Sequence, residues 1–361
     1  MVSLFAGASA QGQNASHLRF EGLRQLPQSL GVAGPFCGLV GKRLVVAGGA
    51  NFPDGFEADS QKVWQDAVFL LDTPAGEWKQ IATLPRPLAY GVSISIPEGM
   101  VLIGGSDATQ HLATVHLLEK VQDQFQFREL SPLPTPLANM SDVLIGNQII
   151  VAGGSTEPGE QAASNKVYSL QLSSEKNRNL NGRWIEREPL PESGRILPGI
   201  AAIENELFIF GGAAIVEVDG KPRRSYLKSG FRKKISADRH SDSNWEPIAE
   251  LPVPLVGTPS PSPAIGPNHF LVCGGDDGSR VGFEPMSQHP GFNGSLWAYH
   301  RVTKNWVEFG SLDAPVVTTN VVPWNGSFVI PSGELRPRVR TADVISFSLV
   351  PPTPAFGMLN Y

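Results

Sequence analysis

A leucine followed by proline, or in the last instance by aspartate, recurs at Leu26, Leu84, Leu133, Leu190, Leu251 and Leu312, at intervals of 58, 49, 57, 61 and 61 residues. Behind each comes an apolar stretch ending in a pair of small residues: Gly48-Gly49, Gly104-Gly105, Gly153-Gly154, Gly211-Gly212, Gly274-Gly275 and Ser332-Gly333. The distance from leucine to the first of the pair is 22, 20, 20, 21, 23 and 20 residues. Six repeats in so narrow a window are not chance, and such a period constrains the architecture before any single motif is read.

Each unit reads as four short strands. In the first these are Cys37 to Val40, Arg43 to Ala47, Ala67 to Leu71 and Trp78 to Ile81. The fourth strand carries an aromatic at Trp78, Phe127, Trp184, Trp245 and Trp306, large flat side chains suited to the gap between neighbouring sheets. A diglycine fits a strand end that must turn with positive φ while another backbone passes close by. Four strands, a diglycine and a late tryptophan at a period of about 50 residues mark kelch blades, so the chain reads as an all-β, six-bladed kelch-type β-propeller. The sixth unit supplies three strands, at Thr319 to Val322, Ser327 to Ile330 and Val344 to Leu349, and lacks a fourth. Leu18 to Leu23 precedes Leu26 as a fourth strand precedes each later leucine, so the amino-terminal strand is expected to complete the last blade and remove an open edge. The organisation expected is a leader over 1–16, the propeller over 17–350 and a tail over 351–361.

Composition narrows the chemistry. A net charge of -5 argues against a general nucleic-acid binder, which needs a basic face for phosphate. No apolar run approaches the ~18 residues of a membrane span. Two cysteines, Cys37 and Cys273, make neither a disulfide framework nor a thiolate zinc site; they read as buried positions in blades one and five. The histidines show no metal spacing, and neither metal nor cofactor is expected. Val2 to Ala10 resembles a signal peptide ending in Ala-Ser-Ala, although its core is short and no basic residue precedes it. Periplasmic or secreted placement is expected, with a cytoplasmic protein carrying a simple leader as the alternative.

Loops on one face of a rigid ring are where a site is expected. Counting from the diglycines points to Asn51, Asp107, Thr156, Asp276, Asp277 and Glu334; the loops leading into each blade add Asn139, Arg195, Thr318, Thr319 and Asn320. Each taken alone is also a common strand-ending residue. Glu334 stands apart, because Arg336, Arg338 and Arg340 follow it within six positions. A carboxylate beside guanidinium near the channel axis can serve as a proton carrier with an anion clamp; a structural ion pair fits the same spacing equally well. Seven basic residues between Lys221 and Lys234 read either as a solvated loop or as an electropositive rim that would draw an anionic substrate.

The motifs Ala47 to Pro53, Gly274 to Gly278, His289 to Phe292, and Gly333 through Thr341 resemble those of the kelch-propeller mutarotases, the N-acetylneuraminate epimerase family, in its cyclically permuted branch. The resemblance covers roughly residues 17 to 350. It implies cofactor-free interconversion of the α and β anomers of a sialic acid, with Glu334 as proton acceptor and Arg340 holding the substrate. Arg338 stands where the family has glycine, which bears on substrate identity. The loop match brings in His289 as a ligand contact, and the substrate-binding set expected is Arg340, Arg338, Asn51, Asp276, Asp277, His289, Arg195 and Asn139. The expected partner is a small anionic sugar, with no nucleic acid or membrane, for a monomer or homodimer. The competing reading is a non-catalytic propeller that binds glycan or protein. A sialidase, needing a tyrosine nucleophile and three arginines, ranks behind both.

Overall fold

The computed structural model describes residues 18–57, 59–174 and 180–350. The expected leader over 1–16 and tail over 351–361 lie outside the described residues.

Six antiparallel blades follow the sequence repeat. Blade one comprises Phe36–Val40, Arg43–Ala47, Ala67–Leu71 and Trp78–Thr83. Blade two is Val92–Ile96, Gly99–Ile103, Val115–Val121 and Gln124–Glu129. Blade three is Ala138–Ile145, Gln148–Ser155, Val167–Ser174 and Leu180–Arg187. Blade four is Gly199–Ile203, Glu206–Phe210, Gly230–Lys234 and Glu246–Pro247, with an inserted hairpin, Ala213–Val218 and Lys221–Tyr226. Blade five has His269–Gly275, Asn293–His300 and Asn305–Ser311. Its innermost position is held by the stretch around Pro259, Pro261 and Pro263, where alternate residues lack an N–H and cannot complete a ladder. The intervening Ser260 and Ser262 donate instead to Thr319 and Ile200 of the neighbouring blades, at 3.0 and 2.8 Å.

The ring closes as expected. Leu18–Leu23 pairs antiparallel with Val339–Leu349, Leu18 opposite Leu349 and Leu23 opposite Val344, outside Ser327–Arg336 and Val322–Trp324. The first strand of this blade starts later than Thr319, because Thr319 and Val321 bond across to Ser260 in blade five.

Six apolar clusters, one in each gap between adjacent blades, form the core, and a seventh, smaller one joins Ile196, Ala213 and Val256. The sequence repeat has its cause here. The leucine that opens each unit is buried, and the side chains of Leu84, Leu133 and Leu251 lie against the first glycine of the preceding blade's pair, Gly48, Gly104 and Gly211. Leu84 Cδ1 sits 2.8 Å from where a Cβ on Gly48 would stand. The N–H of the second glycine crosses to the next blade: Gly49 to Leu88 O, Gly105 to Leu137 O, Gly154 to Arg195 O and Gly212 to Leu255 O, at 2.8–2.9 Å. Gly333 donates likewise to Val32, joining blade six to blade one at 3.0 Å. On the outer edge, the indole N–H of Trp78, Trp184, Trp245 and Trp306 donates to Arg24, Ser131, Glu188 and Ala249, each carbonyl two residues ahead of a repeat leucine. The buried Cys37 and Cys273 are free thiols.

Six loops meet over the axis. Gly34, Tyr90, Asn139, Leu197, Gly257 and Thr318 occupy matching places at the entries to the first strands, and all have positive φ, between 49° and 65°. Each donates its N–H to the carbonyl of its counterpart in the preceding blade, and Gly34 donates to Thr318, so that six bonds of 2.7–3.1 Å close a circle. Tyr90, Asn139, Leu197 and Thr318 hold a conformation costly for residues other than glycine, held there by their neighbours.

Candidate active site

That circle is the floor of a cavity of about 630 Å³, to which every blade contributes. The size lies within the range typical of small-molecule sites. Below the floor, the axial channel shrinks to about 50 Å³, beside Ser141, Asp142, Thr258, Ser260, Thr319 and Asn320.

Blade six supplies the charged wall. Glu334 is fixed by paired backbone bonds with Val317, both 3.0 Å. Its Oε1 accepts from Arg340 Nη1 at 2.8 Å and from the backbone N–H of Arg338 at 2.8 Å. Arg338 adopts φ 64°, so the turn that aims its N–H at the carboxylate uses the left-handed region. The Arg340 side chain is only 4% exposed against 18% for Glu334, and its Nε has no hydrogen-bond partner among the described residues. Both guanidinium groups lie over the Phe52 ring, Arg340 at 4.9 Å and Arg338 at 5.2 Å from its centroid.

Blade one adds Lys62, whose ammonium faces three rings: Tyr90 at 4.9 Å, Trp64 at 5.6 Å and Phe52 at 5.9 Å. Opposite, Asp107 pairs with Arg86 at 3.1 Å, Glu160 pairs with Arg224, and Asp276 accepts from Tyr226 Oη at 2.7 Å. Burial, reinforced by that bond, pushes the Tyr226 phenol well above its ordinary value. His111 lines the cavity with Nε2 3.1 Å from Ser155 Oγ; burial lowers its pKa and favours a neutral imidazole.

Of the residues singled out from sequence, Glu334, Arg338, Arg340, Asp276 and Asn139 line this cavity, as do Asp107 and Thr318. Asn51, Asp277, His289 and Arg195 do not. Asn51 is buried and ties Gly31 O to Gln65. Asp277 caps the turn at Ser279 and holds Asn293. His289 is buried between Phe283 and Phe292 and accepts from Gly291 N–H at 3.1 Å. Arg195 is fully buried and donates to Gly211 O and Ser229 O at 3.1 and 3.2 Å, clamping blade four.

The basic run forms no single rim. Arg224 sits on the inserted hairpin beside the cavity, whereas Arg232 and Lys233 continue into the third strand of blade four and pair with Glu206, Glu246 and Glu188. Lys62, Trp64, Tyr90, His111 and Arg224 escaped the count from the diglycines. Apart from Tyr90, each lies farther along the connection between the second and third strands of its blade. In blade one that connection is 19 residues, from 48 to 66, a length common in binding loops.

Comparison with known proteins bears on this arrangement. A family model described as NANM, N-acetylneuraminate epimerase, matches residues 7–126. The resemblance to the N-acetylneuraminate epimerase family stands. An N-acetylneuraminate epimerase of Brucella suis (strain ATCC 23445 / NCTC 10510) is 39% identical over 88 residues, 21% of this chain and 22% of that protein. One from Yersinia pestis (strain Pestoides F) is 39% identical over 85 residues, 21% of each. One from Vibrio vulnificus (strain YJ016) is 34% identical over 97 residues, 24% of this chain and 25% of the relative. The chain thus spans about a quarter or less of the length of these relatives. A solved structure of YjhT aligns over 92% of this chain and 98% of its own, with a TM-score of 0.65 and 16% identity, which supports the propeller fold. The stretch matched by the N-acetylneuraminate epimerase family model holds Phe52, Lys62, Trp64, Tyr90 and His111; Glu334 and Arg340 lie beyond it. Among the described residues no helix is long and apolar enough to cross a membrane, which says nothing of a β-barrel.

Proposed function

We propose that this protein is a mutarotase that interconverts the α and β anomers of N-acetylneuraminate or a related sialic acid, without a cofactor. The observation that carries the reading is Glu334, a carboxylate oriented by Arg340 and the Arg338 N–H at the wall of a sugar-sized cavity. Both bonds fall on Oε1, which leaves Oε2 to meet substrate. In this reading Glu334 takes the proton of the anomeric hydroxyl as the bond from anomeric carbon to ring oxygen breaks, while the ring oxygen takes a proton from solvent water. The open-chain keto acid turns about the bond to its carbonyl carbon, and closure on the other face returns both protons. Nothing is oxidised or reduced, and no group leaves. A positioned acid–base group contributes roughly 10²–10⁴-fold to such a step. Arg338 and Arg340 make this wall positive, which suits the substrate carboxylate. The family model matched over residues 7–126 and the names of the matched relatives support the substrate class.

The test is NMR of freshly released α-sialic acid at a pH where spontaneous mutarotation is slow. The proposal requires the protein to hasten approach to anomeric equilibrium. Binding without acceleration would favour the non-catalytic propeller instead.

A further inference from the structure

The charges around Phe52 do not balance. Three cations, Lys62, Arg338 and Arg340, lie within 6 Å of this one ring, and the carboxylate that meets them is Glu334. The other acids on the cavity wall are engaged elsewhere, Asp107 with Arg86, Glu160 with Arg224 and Asp276 with Tyr226. Among the cations, Arg340 spends Nη1 on Glu334, and Arg338 donates to the carbonyl of Glu57. Lys62 alone of the three bonds to no oxygen among the described residues.

We infer that Lys62 is the group that binds the carboxylate of the substrate, while Arg340 acts chiefly on Glu334. This deepens the mutarotase reading and rests on it for the identity of the sugar. Aromatic faces within about 6 Å attract an ammonium without using its hydrogen-bond donors. A lysine held by Phe52, Trp64 and Tyr90 is therefore positioned, yet keeps three N–H groups for an incoming anion. Arg340 is less suited to that task, since its side chain is 4% exposed and one arm of its fork already holds the base. The division of labour also has chemical sense. A carboxylate placed on Arg340 would compete with Glu334 for the guanidinium that orients it, whereas one placed on Lys62 leaves the base undisturbed. A lysine laid over aromatics merely for packing would contribute surface but no charge selectivity, and that difference is measurable.

The probe is the 2-deoxy analogue of N-acetylneuraminate, whose ring cannot open, with its C1 amide as the neutral control; binding of both is followed by NMR titration. Lys62→Met should weaken the carboxylate form by about 10- to 100-fold, the span of one charge-assisted bond, and leave the amide unchanged. Lys62→Arg should restore most of the preference. In the mutarotation assay Lys62→Met should raise KM by a similar factor, with kcat within about threefold. An unchanged preference for carboxylate over amide in Lys62→Met, or a preference lost equally in Lys62→Arg, overturns the assignment. A wild-type protein that prefers the carboxylate through Lys62 but accelerates no mutarotation would refute the catalytic reading and keep the binding role.

Discussion

Replacing Glu334 with glutamine tests the chemistry most directly, because the amide preserves shape and the ability to accept hydrogen bonds. Two effects should separate. In the Glu334→Gln variant the amide oxygen can still accept from Arg340 Nη1 and Arg338 N–H, each 2.8 Å from Oε1 in the native protein. What is lost is the charge opposite a guanidinium that is 4% exposed. Removing one partner of a fully buried pair costs about 3–5 kcal/mol. Here Glu334 opens onto the cavity and both bonds persist, the one from Arg340 still with a charged donor and the one from the Arg338 N–H now neutral, so about 1–1.5 kcal/mol, the difference between a charged and a neutral hydrogen bond, is the appropriate figure. The variant should therefore remain folded, with a modestly lowered melting temperature. Catalysis should fall far more, by about 10²–10⁴-fold, since an amide cannot take the anomeric proton. The assay is the NMR time course of α-anomer decay, with the melting temperature and binding of the 2-deoxy analogue as controls. Acceleration by Glu334→Gln equal to that of wild type would refute the reasoning, whatever happens to stability.

Three further substitutions probe the scaffold. Arg195→Met should destabilise the fold by about 2–4 kcal/mol in chemical denaturation, by stripping the donor from two carbonyls, while KM stays unchanged because Arg195 lies outside the cavity. Gly49→Ala places a Cβ 2.6 Å from Val32 Cβ at φ 92°; combined backbone strain and overpacking should cost about 2–4 kcal/mol in the same measurement. Burial holds the Asp142 carboxyl well above the ordinary carboxylate range, so the native state keeps a proton that the unfolded chain releases near pH 4. Its contribution to stability is fully present below that pH and is lost as pH rises through the raised native value. Asp142→Asn should accordingly melt higher than wild type at pH 8 and match it at about pH 3, and a pH-independent difference would refute this account.

Much of the ring was legible because blade packing writes itself into sequence locally. Glycine must stand where Leu84 presses on Gly48, and tryptophan where an indole N–H must reach Arg24, so these residues recur at fixed offsets. The closing strand was readable from Leu18 to Leu23 for the same reason. Blade five was less so, since prolines at 259, 261 and 263 move its inner hydrogen bonds to neighbouring blades. The site divided along similar lines. Glu334 and Arg340 are close in sequence and face each other across one turn, Glu334 opposite Arg340 in the strand register. Lys62 and Tyr90 meet through the packing of blades one and two, which spacing within one unit does not encode. Arg195 and His289 carry chemistry-bearing side chains that the structure uses for packing and turns, a choice decided by tertiary contacts.

The six amide bonds that close the cavity floor all run in the same rotational sense, each from a blade to the one before it. Dipoles arranged head to tail around a complete circuit cancel, so the floor exerts little net pull on charge along the axis, in contrast to a helix end pointed at a ligand. Selection of an anion over a neutral sugar is thereby left to the side chains of the walls. Altered charge preference in variants of this protein should therefore trace to Lys62, Arg338 and Arg340 on the cavity wall.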